Sequence, residues 1–243
     1  MFEATRRDDV LELRRPETEW LSTGWAGGRC RADALHSLTV PEGWYPDELA
    51  ANVADRLAEA GFERDGPVLL TGVDARHARG ARLGPVEAFA TAGVSNPAEL
   101  PVPDPWREAD PEPTDSPGPE SHGDDRPRPG TVNVVVGTDR SLGEAALANL
   151  VAVAAEAKAA TLAELVGVPG TTSDAVVAAS DPGGEPAEYS GSATAVGAAA
   201  RVCVREAVSA ALVARYPDRE FPEGVAAAEH GTVADERASV FQP

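Results

Sequence analysis

The turn Gly170-Thr171-Thr172-Ser173-Asp174 sets three hydroxyls beside one carboxylate. Such a cluster suits a polar ligand, or a nucleophile beside a base; its plainer reading is a turn joining two elements. Upstream stands Lys158, the sole lysine in a chain with 21 lysines and arginines. Its ammonium suits a carboxylate, an amide oxygen or a phosphate, or it is a solvated helix position. Glu144 opens the alanine-rich stretch that carries Lys158, and Ser141 three residues before it completes a capping-box pattern. On one helix Glu144 and Lys158 share a face but stand about 21 Å apart along the axis, so they cannot pair. Asn96 and Asn133 fall at or beside strand ends, and His77 follows another in Asp74-Ala75-Arg76-His77. Strand ends are where ligand sites of α/β proteins sit. His36, His122 and His230 complete the histidines, and Cys203 lies within an alanine-rich helix as a core residue.

Several chemistries lack their residues. There is no Gly-x-Ser-x-Gly elbow, no phosphate-binding Gly-x-x-x-x-Gly-Lys loop and no metal-binding histidine pair. The two cysteines, Cys30 and Cys203, form neither a CxxC nor a Cys/His cluster, so no zinc site or disulfide framework is expected. Turnover is expected to survive chelation. The formal charge of −19, with 40 acidic residues, disfavours nucleic acid and anionic membranes as partners. Acid excess with almost no lysine is the halophilic pattern, although a G+C-rich genome would also favour arginine and alanine. Residues 1–10 hold Arg6, Arg7, Asp8 and Asp9 without an apolar run, and no stretch of about 20 uncharged apolar residues exists. A cytoplasmic protein without a membrane span is expected; homo-oligomerisation is left open.

The elements that must position these groups follow from patterning. Strands are expected at 10–13, 20–22, 35–40, 68–73, 86–94, 131–136 and 175–179. Residues 131–136 form a near-continuous apolar run of the kind buried on both faces. Helices are expected from Pro46 to about Ala60, from Ser141 to about Val166, and from Ser192 to about Arg215. With only 5% aromatic residues in a composition 42% hydrophobic, alanine, valine and leucine must fill the core. The reading is α/β or α+β: a central mixed sheet covered by two or three long helices, in one domain over 1–243. A proline- and acid-rich insertion at 99–129 is expected to be disordered, and the tail from Asp218 polar and peripheral.

Taken in order, Ser22-Thr23-Gly24-Trp25-Ala26-Gly27-Gly28, Thr71-Gly72-Val73-Asp74, Thr91-Ala92-Gly93-Val94-Ser95-Asn96-Pro97, Gly130-Thr131-Val132-Asn133, the stretch from Ser141-Leu142-Gly143-Glu144 to Lys158, and Gly170-Thr171-Thr172-Ser173-Asp174 resemble the adenosylcobinamide amidohydrolases of archaeal corrinoid salvage. The resemblance covers about 20–97 and 130–215. It implies hydrolysis of the amide joining the corrin to its aminopropanol arm, giving adenosylcobyric acid and 1-amino-2-propanol. The corrinoid is then substrate, and no separate cofactor is implied. On that basis Asp174 or Glu144 is the candidate base, Thr172 or Ser173 the nucleophile or water-positioner, and Lys158 a stabiliser of negative charge or orienter of a carboxylate. Gly27, Gly28, Asp74, His77, Asn96, Asn133 and Thr171 are candidate substrate-binding residues. A corrinoid-binding protein without catalysis and a threonine-nucleophile acyltransferase remain alternatives. Self-cleavage at Gly170–Thr171, which would expose an N-terminal threonine, is a further possibility that intact mass decides.

Overall fold

Valine repetition makes residues 132–138 a strand buried along its whole length, and this strand organises the molecule. A computed structural model describes residues 1–41, 44, 46–63, 65–103 and 131–243; most of the expected proline-rich insertion, from 104, lies outside the described residues. In chain order the elements are β1 (Glu3–Arg7), β2 (Val10–Ser22), β3 (Gly28–Thr39), α1 (Leu49–Glu59), β4 (Val68–Thr71), β5 (Arg79–Leu83), β6 (Val86–Ala92) and β7 (Pro97–Glu99). They continue with β8 (Val132–Thr138), β9 (Ser141–Leu142), α2 (Glu144–Val166), β10 (Gly170–Thr171), β11 (Ala175–Ser180), β12 (Pro186–Ala187), α3 (Ala195–Arg215) and β13 (Thr232–Val233).

The main sheet runs β4-β3-β2-β11-β8-β6-β5, with β1 added to β2. It is mixed: β8 and β11 are parallel, as are β3 and β4, and the other neighbours are antiparallel. Alternation sorts the core. Val134, Val136, Val176 and Ala178 meet the helices α2 and α3. Val135, Val177 and Ala179 project the other way, onto Trp20, Leu13, Leu35 and Leu69. The sheet curls, because Asn133 on β8 donates through Nδ2 to the Leu70 carbonyl on β4 at 3.0 Å although the two strands are not neighbours in the sheet. α1 packs Val53 and Leu57 onto Val10, Leu38 and Val68 as a separate cluster.

α2 is long and apolar enough to cross a membrane by length and composition. It is a core helix here, with nine buried residues against the sheet and α3. Among those nine is Lys158.

Several boundaries differ from the sequence reading. The segments 10–13 and 20–22 are one strand, bent by a bulge between Arg14 and Thr18 with Glu17 at φ 60°. Arg15 fastens the bend by donating to the Thr18 hydroxyl at 3.0 Å and the Thr138 carbonyl at 2.9 Å. The capping box does not form: Ser141 pairs with Pro186 between β9 and β12, and Gly143 takes the N-cap place. α3 starts at Ala195, where the Thr194 hydroxyl accepts the Gly197 amide at 3.0 Å. The unexpected β1 and β5 carry charges and lie at the sheet's periphery, where alternation is weak.

Candidate active site

The curl of the sheet brings the end of β4, the starts of β8 and β11 and the residues after β2 to one mouth. A cavity of about 530 Å³ opens there. Its wall is largely apolar, with Trp25, Trp44, Leu69 and Leu70. The polar lining comprises Thr23, Thr71, Thr131, Ser173 and Asp174. Asp174 is the one ionisable side chain among the described residues of this lining. A mostly apolar cleft with a few convergent polar groups is the usual form of a small-molecule site.

Asp174 is held by four donors. Its Oδ1 accepts the Val132 amide at 2.8 Å and the Thr171 hydroxyl at 2.5 Å. Its Oδ2 accepts the Thr171 amide at 3.1 Å and the Lys158 ammonium. An ionised carboxylate offers about four acceptor positions, so this one is filled. Lys158 reaches it from the middle of α2, and each side chain is only 10% exposed. The pair needs the room that Gly170 leaves: a Cβ there would stand 2.8 Å from Asp174 Oδ2 and 3.5 Å from Lys158 Nζ. The sequence turn is therefore a short strand, β10, paired with β7, followed by a loop that folds Asp174 back onto Thr171.

The other candidates separate into those near this group and those away from it. Ser173 lines the cavity, as Asp174 does. Thr172 is exposed and is tied to Asn96, which donates from Nδ2 to its Oγ1 at 2.7 Å and accepts its amide on the carbonyl at 3.2 Å. Asn133 is buried and spans two strands: besides Leu70 it accepts the Ala175 amide at 3.2 Å. Gly27 and Gly28 turn β2 into β3 outside the cavity lining, and a Cβ on Gly27 would stand 2.4 Å from the Ser22 carbonyl oxygen. Glu144 stands at the other end of α2, exposed, in an ion pair with Arg29. Of the two carboxylates considered as base, only Asp174 faces the cavity, because 14 helical residues carry Glu144 about 21 Å along the axis.

A second chamber of about 790 Å³ adjoins the first across Val40, Pro41, Trp44 and Gly72. Asp74 lines it and caps a short 3-10 turn by accepting the Arg76 amide at 2.8 Å. His77 ends that turn outside the lining. Partial burial lowers its imidazole from the ordinary value, against a hydrogen bond to the Ala214 backbone that raises it. Of the first cavity's lining, sequence reasoning singled out Ser173 and Asp174 as site residues and missed the rest, Trp25, Trp44, Thr71 and Thr131 among them. Both threonines stand in segments that carried the resemblance, but their meeting across 60 residues needs the curl of the sheet.

A family model described as adenosylcobinamide amidohydrolase matches residues 2–220. A curated relative of that name from Halobacterium salinarum is 58% identical over 245 residues, 100% of both chains. Another, from Methanosarcina mazei, is 28% identical over 219 residues, 86% of this chain and 96% of its own. Among solved structures, a Burkholderia sp. beta-aminopeptidase aligns at TM-score 0.40 and 18% identity, over 87% of this chain and 80% of its own. That likeness is too remote to bear on the chemistry.

Proposed function

The chain belongs to the adenosylcobinamide amidohydrolase family, and from that premise we propose that it hydrolyses the amide between the corrin and the aminopropanol arm of adenosylcobinamide. The products are adenosylcobyric acid and 1-amino-2-propanol, and the acid is then available for renewed coenzyme assembly. The observation that carries the reading is the single lysine-anchored carboxylate beside a serine on the wall of an apolar cavity. Trp25 and Trp44 offer flat apolar surface to the macrocycle, and the adjoining chamber accommodates what the first does not. The corrinoid is substrate, and no further cofactor enters. The acidic composition, and the relative from Halobacterium salinarum, fit work in a salty cytoplasm.

In this mechanism Asp174 is the general base. Of its four donors, two are backbone amides and one is the charged ammonium; the Thr171 hydroxyl is the one neutral side-chain donor. A χ1 swing of the Thr171 side chain carries its oxygen away and opens one acceptor position on Oδ1 for water, which Ser173 orients. Water adds to the amide carbon as its proton passes to Asp174. The carbon–nitrogen bond then breaks as Asp174 returns the proton to the departing nitrogen. Lys158 is a positioning residue: it fixes the carboxylate and touches no reacting atom.

The test is incubation of the purified chain with adenosylcobinamide in about 1 M KCl, where charge repulsion is screened. Mass spectrometry then follows 1-amino-2-propanol. Its release supports the proposal, and unchanged cobinamide refutes it. Asp174→Asn should lower kcat by roughly 10²–10⁴-fold, the range for lost general-base catalysis; near-normal turnover removes Asp174 as base.

A further inference from the structure

Amide hydrolysis passes through an oxyanion, which needs a hydrogen-bond donor other than the base. The polar lining of the cavity contains a pair suited to it. Thr131 Oγ1 lies 2.9 Å from Thr71 Oγ1, and the Val73 amide donates to Thr71 Oγ1 at 3.1 Å. Both threonines are buried, 4% and 2% exposed, and both line the cavity. A hydroxyl carries one proton and two acceptor positions. The pair therefore holds two protons, and its mutual bond uses one. If Thr131 donates, both acceptor positions of Thr71 are filled and the Thr71 proton is left over. If Thr71 donates instead, the Thr131 proton is left over. In either arrangement one donor has no acceptor among the described residues, on a residue that lines the cavity.

We propose that the Thr71–Thr131 pair supplies the oxyanion donor of the amide-hydrolysing site. This rests on the functional reading above. The geometry couples donor and base. Val132, the residue after Thr131, gives its amide to Asp174, so the carboxylate that receives the proton also fixes the backbone that carries the donor. The second hydroxyl polarises the first by donating to it, and the Val73 amide holds Thr71 in place. A donor fixed before the reaction begins stabilises developing charge without reorganisation.

The test compares the double variant Thr71→Val/Thr131→Val with Thr71→Ser/Thr131→Ser, using adenosylcobinamide. Valine keeps the shape of threonine and removes the hydroxyl; serine keeps the hydroxyl. The valine variant should lose roughly 10²–10³-fold in kcat, the range for removing an oxyanion donor, with KM little changed. The serine variant should retain most of the turnover. Equal losses in both variants, or a valine variant that folds and changes only KM, overturn the proposal. If the valine variant does not fold, the serine variant decides: it must fold and turn over, and an inactive folded serine variant refutes the assignment. An unsubstituted chain that releases no aminopropanol counts against the functional reading rather than against this pair.

Discussion

Replacing Lys158 by methionine isolates the ion pair from everything else in the site. Methionine keeps most of the aliphatic stem packed in α2 and removes the charge. Removing one partner of a buried pair destabilises by about 3–5 kcal/mol, because the other charge is left uncompensated. Asp174 would retain three donors, from the Val132 amide, the Thr171 amide and the Thr171 hydroxyl. That places the effect at the lower end, about 3 kcal/mol. For a chain of this length each kcal/mol moves Tm by roughly 2–4 °C, so a fall of about 6–12 °C is expected. The assay is thermal unfolding by circular dichroism in about 0.1 M and about 1 M KCl, where the Debye length is roughly 10 Å and 3 Å. Salt should raise Tm for both proteins, since the net charge is −19. The gap between them should persist, since a pair whose side chains are each 10% exposed is screened little. A fall of less than about 2 °C, or a gap that closes in molar salt, refutes the claim that this pair is a buried, stabilising anchor.

Four further outcomes are expected. Gly170→Ala should cut kcat by roughly tenfold or more, since its Cβ would displace the carboxylate and small misplacements are costly; an alanine variant with unchanged kcat contradicts the packing. Glu144→Ala should leave kcat and KM unchanged in the same assay, because its carboxylate meets Arg29 at the far end of α2. Lys158→Arg should retain more thermal stability than Lys158→Met yet recover little turnover, read by Tm and kcat side by side. His36 is fully buried with Nε2 3.1 Å from Glu12, and burial lowers its imidazole below the ordinary 6.5. Below that value the unfolded chain binds the proton first, so stability is full above it and falls with pH towards the folded value. Urea unfolding between about pH 7.5 and about pH 5.5 should show that slope, and His36→Phe should flatten it.

What the sequence revealed, and what it hid, follows from the range of each interaction. The apolar run read at 131–136, observed as β8, and the helix stopped at Gly167 were legible because a strand's burial and a helix's end are decided within a few residues. The Ser141-x-x-Glu144 pattern misled because the same two residues have other partners, Ser141 across β12 and Glu144 on Arg29. Thr171 and Asp174 were legible as a polar cluster, since they sit three residues apart. That Lys158 would meet them required knowing that α2 returns the chain beside its own middle, 16 residues on. Thr71, Thr131 and Trp25 stood in segments that carried the resemblance, but that the two threonines pair and that Trp25 and Trp44 wall one cavity was not legible. The pair is made by the curl that sets β4 against β8, and nothing local in either strand encodes it; Trp25 and Trp44 come from the segments after β2 and before α1.

The identity of the lone lysine follows from how the carboxylate is filled. Every other basic residue in the chain is arginine, so composition alone would place arginine at 158 as well. A guanidinium is a planar fork that binds a carboxylate best through both oxygens. At Asp174, Oδ1 is already occupied by the Val132 amide and the Thr171 hydroxyl, and only one position on Oδ2 remains beside the Thr171 amide. One remaining position accepts a point charge and gives a fork no second tooth. An arginine that fitted at all would take the second oxygen from Thr171, and the rotating hydroxyl that admits water to the base would lose its place. The ammonium is thus the cation that anchors Asp174 while leaving one of its four donors free to move.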